Sequence, residues 1–106
     1  MVFILVKHKV EDYSKWRKLY DGHKSSRIRS GMLSEKMFRG VNDPTEIYML
    51  FKWDNIINAK IFYQSEDLKK TMENAGVMTM PETSFIEEAE QRESTKQVMQ
   101  PFEVFS

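Results

Sequence analysis

The order of periodic segments along the chain constrains its fold more than any single residue does. An extended apolar run, VFILVKHKV, comes near the start, and an amphipathic stretch with helical spacing follows it. Two further strand-like runs, Met32 to Arg39 and Glu46 to Trp53, flank a turn at Asn42, Asp43 and Pro44. A second helical region and a short last strand, Thr83 to Glu88, complete the order.

Strand, helix, strand, strand, helix and strand is the order of a split βαβ unit. We therefore predict an α+β chain, a ferredoxin-like βαββαβ sheet with its helices on one face. Asp12 can cap the first helix, which is predicted to run to about Ser30 and to end at Gly31. The second helical region is predicted as two pieces, with Ser65 as a fresh N-cap and Gly76 at the end.

The first strand carries apolar side chains on both of its faces, because every residue from Val2 to Val6 is apolar and successive side chains of a strand point to opposite sides. The helices of the same chain can cover only one of these faces. A second copy of the sheet is the natural cover for the other face, so the sequence predicts a homodimer. The alternative is a monomer in which the C-terminal tail covers that face.

Length and composition exclude several classes of protein. The 106 residues predict one domain, residues 1–89, and a tail, residues 90–106, that either docks on the dimer or frays. Sixteen basic residues balance sixteen acidic ones, so no nucleic-acid partner is expected. Cysteine is absent, and the longest apolar run is too short to span a membrane. A soluble cytoplasmic protein is the default expectation.

Two histidines are the candidate catalytic residues. His8 shares a strand face with Ile4 and Val6, and His23 is predicted on the buried stripe of the first helix. A neutral imidazole in an apolar pocket can accept a proton, and Arg27, on the same stripe, can neutralise an anionic group. The alternative is structural: a half-buried histidine bonded to backbone, and an arginine that reaches the solvent from the last helical turn.

A set of aromatic side chains is predicted to line a pocket for a flat ligand or, alternatively, to form ordinary core. No His-x-x-x-His spacing and no glycine-rich phosphate loop occur, so we expect no metal site and no cofactor. With Arg27, the candidate ligand-binding residues are Trp16, Tyr20, Trp53, Phe62 and Tyr63.

Four motifs in order carry a family resemblance: V-x-H-x-V-x-D-Y-x-x-W from Val6, F-R-x-x-N-D-P from Phe38, F-x-W-D from Phe51, and A-x-x-F-x-x-S-x-x-L-x-x-x-M-x-x-A-G-V from Ala59. Together they resemble the dimeric α/β-barrel superfamily, in particular its antibiotic biosynthesis monooxygenase-like (ABM-like) branch. The resemblance covers about residues 1–89. It implies two ferredoxin-like sheets packed face to face as a dimeric α/β barrel, with a pocket between each sheet and its helices.

The resemblance does not imply one reaction, because relatives include cofactor-independent oxygenases, haem-degrading enzymes and isomerases. Haem degradation fits this chain poorly, since Thr71 and Met72 stand where such relatives carry a ligating histidine. Two hypotheses remain. The protein is a homodimeric, cofactor-independent oxygenase or related enzyme that acts on a small aromatic or apolar molecule, or it is a non-catalytic dimeric module for binding or interaction. The sequence identifies neither ligand nor pathway.

Overall fold

A four-stranded antiparallel sheet and four helices make up the part of the chain that the computed structural model describes, residues 2–93. The strands are β1 (Val2–Lys9), β2 (Met32–Arg39), β3 (Glu46–Trp53) and β4 (Glu82–Glu87), and the helices are α1 (Tyr13–Gly22), α2 (Lys24–Ser30), α3 (Ile56–Tyr63) and α4 (Glu66–Asn74). The sheet order is β2-β3-β1-β4, so β1 and β3 are the central strands. They pair with each other along the whole length of β1. The predicted ferredoxin-like α+β fold is confirmed. Of the predicted tail, residues 90–106, residues 94–106 lie outside the described residues, so its docking stays a prediction.

Side-chain caps begin three of the helices, two of them at the residues that the sequence predicts. Asp12 accepts a hydrogen bond from the backbone N–H of Lys15 at 3.2 Å. Ser65 caps α4 in the same way, with its Oγ accepting from the N–H of Leu68 at 3.2 Å. Each cap satisfies a backbone donor that the first helical turn leaves free. Asn55 performs this role for α3.

The predicted single helix up to Ser30 is wrong, because the chain leaves helical geometry at His23. This residue has φ −104° and ψ 11°, and its N–H donates to the carbonyl of Tyr20 at 3.2 Å. The tighter turn separates α1 from α2 and leaves His23 exposed, whereas the helical periodicity of the sequence predicted a buried position. Arg27, one turn further on, is turned inwards and is only 4% exposed.

The helix-facing side of the two central strands forms the core. Ile4 on β1 and Ile47, Phe51 and Trp53 on β3 are at most 2% exposed. These residues alternate with partly exposed ones, as the period of a strand requires. Burial of this apolar area is the main favourable contribution to folding, at about 25 cal/mol per Å².

A β-bulge at Leu33 decides which side chains of β2 face the helices. Met32 pairs with Trp53, but Glu35 pairs with Phe51, so the register shifts between Met32 and Ser34. Directly paired residues point to the same side of a sheet. The extra residue therefore turns Glu35 towards the helices, where an unbroken strand would place Ser34.

The opposite side of the sheet, called here the open face, carries an apolar patch. Leu5 on β1 is 39% exposed, Phe38 on β2 is 50% exposed and Ile86 on β4 is 43% exposed in the single chain. Phe3 and Leu50 lie beside them, since Phe3 pairs with Ile86 and Leu50 pairs with Leu5. An exposed group of large apolar side chains on one sheet face is typical of an interaction surface.

No helix in residues 2–93 combines the length and the apolar character that crossing a bilayer requires.

Gly31 and Gly22 form a matched pair for a stability test. Gly31 has φ +125°, and a Cβ atom there would lie 2.5 Å from Asp54 Oδ1. We expect Gly31→Ala to lower the free energy of unfolding by roughly 1–3 kcal/mol. Gly22 ends α1 and has open space around it, so Gly22→Ala should raise stability by about 0.5–1 kcal/mol. Urea unfolding measures both, and equal effects of the two changes would contradict this account.

Candidate functional site

A cavity of about 1040 Å³ lies between the helix-facing side of the sheet and the helices. Strands β1 and β3 form its floor, and residues of all four helices and of the loop before β4 form its sides. Helix α4 has no buried residue, so it covers the cavity without filling it. The volume is at the upper end of the range for small-molecule sites, about 300–1,000 Å³.

A row of stacked side chains, called here the His8–Arg27 wall, forms one side of the cavity. The His8 and Trp16 rings meet edge to face, with centroids 5.6 Å apart. Trp16 stacks on Tyr20 at 4.9 Å, since the two residues are one helical turn apart on α1. The guanidinium carbon of Arg27 lies 3.6 Å from the centroid of the Tyr20 ring, in a cation–π contact.

Aromatic residues of α3, together with Phe51 of the floor, form a second side of the cavity. Phe62 and Tyr63 pack edge to face at 5.1 Å, and Phe51 lies 5.6 Å from Tyr63. Trp53 is fully buried and does not line the cavity. Its Nε1–H donates to the Tyr63 hydroxyl at 3.2 Å, so Trp53 supports this side from behind. The structure therefore brings the other candidate aromatic residues to the cavity and places Trp53 in the core.

An ion pair closes the far end of the His8–Arg27 wall. Arg27 Nη2 lies 3.4 Å from Glu35 Oε1, and Arg27 Nη1 donates to the backbone carbonyl of Tyr20 at 2.8 Å. The Tyr20 hydroxyl donates a short hydrogen bond to Glu35. Arg27 Nε is buried and has no hydrogen-bond partner among the described residues. Sequence reasoning missed Glu35, because only the bulge in β2 turns it inwards.

Burial keeps the two tyrosines of the cavity uncharged. Desolvation raises the pKa of Tyr20, and the hydrogen bond to Glu35 raises it further. Desolvation also raises the pKa of Tyr63. Both phenols therefore stay protonated at neutral pH. Tyr20 donates its hydrogen to Glu35, and Tyr63, which accepts from Trp53, carries its own O–H.

The two candidate histidines line the same cavity in different environments. His8 is 3% exposed, and its Nδ1 has no hydrogen-bond partner among the described residues. Desolvation lowers its pKa to about 4, so the imidazole is neutral at pH 7. His23 is exposed in the turn between α1 and α2 and lies at the mouth of the cavity. Residues 2–93 contain no cluster of three or more side chains that could hold a metal ion.

The chain is similar to known proteins in its structure. No protein-family model matches the chain, and no curated protein is similar to it in sequence. A putative antibiotic biosynthesis monooxygenase from Bordetella bronchiseptica is similar in structure, with a TM-score of 0.70 and 13% identity over 83% of this chain and 96% of that one. A second such protein, from Deinococcus radiodurans, has a TM-score of 0.64 and 14% identity over 89% of this chain and 98% of its own.

The structure is also similar to SnoaB, a cofactor-independent oxygenase from Streptomyces nogalater. The TM-score is 0.70 at 8% identity, and the match covers 85% of this chain and 94% of that one. At such low identities the similarity concerns the fold. The order of motifs in the sequence predicts the same group of proteins, and this resemblance is confirmed at the level of the fold. The chain therefore has the ABM-like ferredoxin fold, the fold of the antibiotic biosynthesis monooxygenases.

Proposed function

We propose that the protein is a homodimer that binds a small, mostly apolar or aromatic molecule and oxidises it with dioxygen, without a cofactor. The cavity is the observation that carries this proposal. Aromatic rings line two of its sides. His8 and Arg27, which lie on one of these sides, each contain a buried nitrogen atom that has no hydrogen-bond partner among the described residues. An apolar pocket with a few unsatisfied polar groups is typical of small-ligand sites. The structural likeness to SnoaB supports the oxygenase chemistry.

The reaction needs a base and an enclosed site. A base removes a proton from an acidic C–H of the substrate, and dioxygen then oxidises the electron-rich carbanion that is left. When a methylene becomes a carbonyl, one oxygen atom enters the product and the other leaves as water. We assign the role of base to His8, because it is neutral at pH 7 and lies inside the cavity. His23 is the second candidate, at the mouth.

One observation favours the alternative of a non-catalytic binding module. A histidine whose pKa is lowered to about 4 is a weak base, so it removes protons less readily than an ordinary histidine. In that case His8 serves only as a hydrogen-bonding group for the ligand. The side chains that line the cavity keep the same roles in both functions.

The proposed dimer rests on the open face. Leu5 and Leu50 are direct neighbours at the centre of this face, where water is expelled most completely when two sheets pack together. The dimer would bury Phe38 and Ile86, which are about half exposed in the single chain. The predicted cytoplasmic location remains a prediction.

Two adjacent serines test whether the cavity binds a ligand. Ser26 is half-buried and lines the cavity, whereas Ser25 is exposed and does not. We expect anthrone or a naphthol to raise the melting temperature of the wild type by several degrees, which corresponds to about 1–2 kcal/mol. Ser26→Phe should reduce this shift, because its ring occupies part of the cavity, and Ser25→Phe should preserve it. A screen of polyphenols and quinones that gives no shift would refute the proposal.

Measuring oxygen uptake in the presence of anthrone tests catalysis separately from ligand binding. If His8 is the base, the rate should stay level through pH 6.5, where an ordinary histidine is half protonated, and should fall only towards pH 4. His8→Gln should lower the rate by about 100-fold, and His23→Gln should change it little. Ligand binding without oxygen uptake would favour the non-catalytic module. A larger loss in the His23 variant would move the role of base to that residue.

A charge on the open face tests the dimer. Leu50→Lys would place two unpaired ammonium groups in the dimer interface, at a cost of several kcal/mol, so we expect a monomer in sedimentation velocity. Ile57 is 67% exposed on α3, away from the open face, and Ile57→Lys should leave the dimer intact. A wild-type protein that sediments as a monomer at micromolar concentration would contradict the proposal, as would a folded Leu50→Lys dimer.

A further inference from the structure

Two ionised groups beside the cavity balance each other: Arg27, which lines it, and Glu35, which does not line it but contacts Arg27. Arg27 carries a positive charge and is 4% exposed, and Glu35, whose side chain is 21% exposed, lies against it. The other titratable groups of the interior are uncharged at pH 7: His8 because burial lowers its pKa to about 4, and the two tyrosines, whose pKa burial raises further above neutrality. The interior therefore offers hydrogen bonds without a net charge.

Arg27 keeps one donor for a ligand. Its Nη1 and Nη2 atoms are engaged by the carbonyl of Tyr20 and by Glu35, but its Nε–H has no partner among the described residues. A buried N–H group without an acceptor is destabilising, because it has lost its hydrogen bond to water. Arg27 lines the cavity, although its Nε atom is covered. A small shift of the side chain would let an oxygen atom of a bound molecule accept from this N–H.

We propose that Glu35 is a specificity-determining residue, which makes the cavity select neutral molecules that bear a carbonyl oxygen and reject the corresponding carboxylates. This inference rests on the proposed ligand binding and adds the chemical class of the ligand. A carbonyl oxygen accepts a hydrogen bond from Arg27 without bringing a charge into the interior. A carboxylate would also be attracted to Arg27, but the adjacent Glu35 carboxylate would repel it.

The charges outside this pair are exposed to solvent. Lys24 Nζ lies 3.7 Å from Glu35 Oε2, but the Lys24 side chain is 59% exposed. Water and salt screen such charges strongly, so they contribute little to the selection of a ligand inside the cavity. The same holds for the exposed charged residues of α4 that line the cavity, which are Glu66, Asp67, Lys69, Lys70 and Glu73.

Methyl naphthoate and naphthoate form a matched pair of probes, because they share the ring system and the carbonyl group and differ in charge. Isothermal titration calorimetry at pH 7 should show that the wild type binds the ester about tenfold more tightly than the acid. Glu35→Gln keeps a hydrogen-bonding side chain and removes the negative charge. We expect it to lower the Kd of naphthoate by about tenfold and to change that of the ester by less than about threefold.

Tyr20→Phe is the control, because it removes the hydrogen bond to Glu35 and retains both charges. It should preserve the preference for the ester, and Ser26→Phe should weaken binding of both probes. An unchanged ratio of affinities in Glu35→Gln would overturn this inference alone. Tighter or equal binding of naphthoate by the wild type would do the same, without depending on any variant. If neither probe bound the wild type, the proposed ligand binding would fail and this inference with it.

Discussion

The packing of helices on one side of the two central strands is the constraint on which the rest of the structure depends. Ile4, Ile47, Phe51 and Trp53 are the side chains at the centre of this packing, and they are at most 2% exposed. They fix the sheet beneath α1 and α3, and they hold Tyr63 in place through Trp53. At one end of the layer between sheet and helices, the helices bury these residues. At the other end lies α4, which contributes no buried residue. The cavity lies where this packing is incomplete.

The polar network of the site depends on that same layer. Arg27 is buried at low cost only because Glu35, the Tyr20 carbonyl and the Tyr20 ring all contact it. An isolated guanidinium in an apolar interior would be strongly destabilising, and a partner reduces this cost. The His8–Arg27 wall thus joins an apolar surface for rings to a small set of hydrogen-bonding groups, and this combination provides both affinity and orientation for a small molecule.

Much of the fold follows from the sequence because local signals and periodicity agree. The boundaries of β2 and β3, the caps Asp12 and Ser65, and the kink before α4 are all predicted correctly, since each depends on neighbouring residues. The candidate site residues on β1 and α1 also reach one cavity. The break at His23 and the inward position of Glu35 are not predicted, because a single turn and a one-residue bulge leave almost no trace in a periodic pattern.

The sequence by itself determined the order of elements, the alternation of apolar side chains in the central strands and the apolar character of both sides of β1. These properties depend on residue type and spacing, which are local. Only the tertiary structure decided that α4 leaves a cavity, that Trp53 is core while Trp16 lines the site, and that Glu35 neutralises Arg27. These properties depend on contacts between segments that are distant in the sequence. The register of β2 against β3 fixes these contacts, because a shift of one residue would turn a different side chain towards the helices.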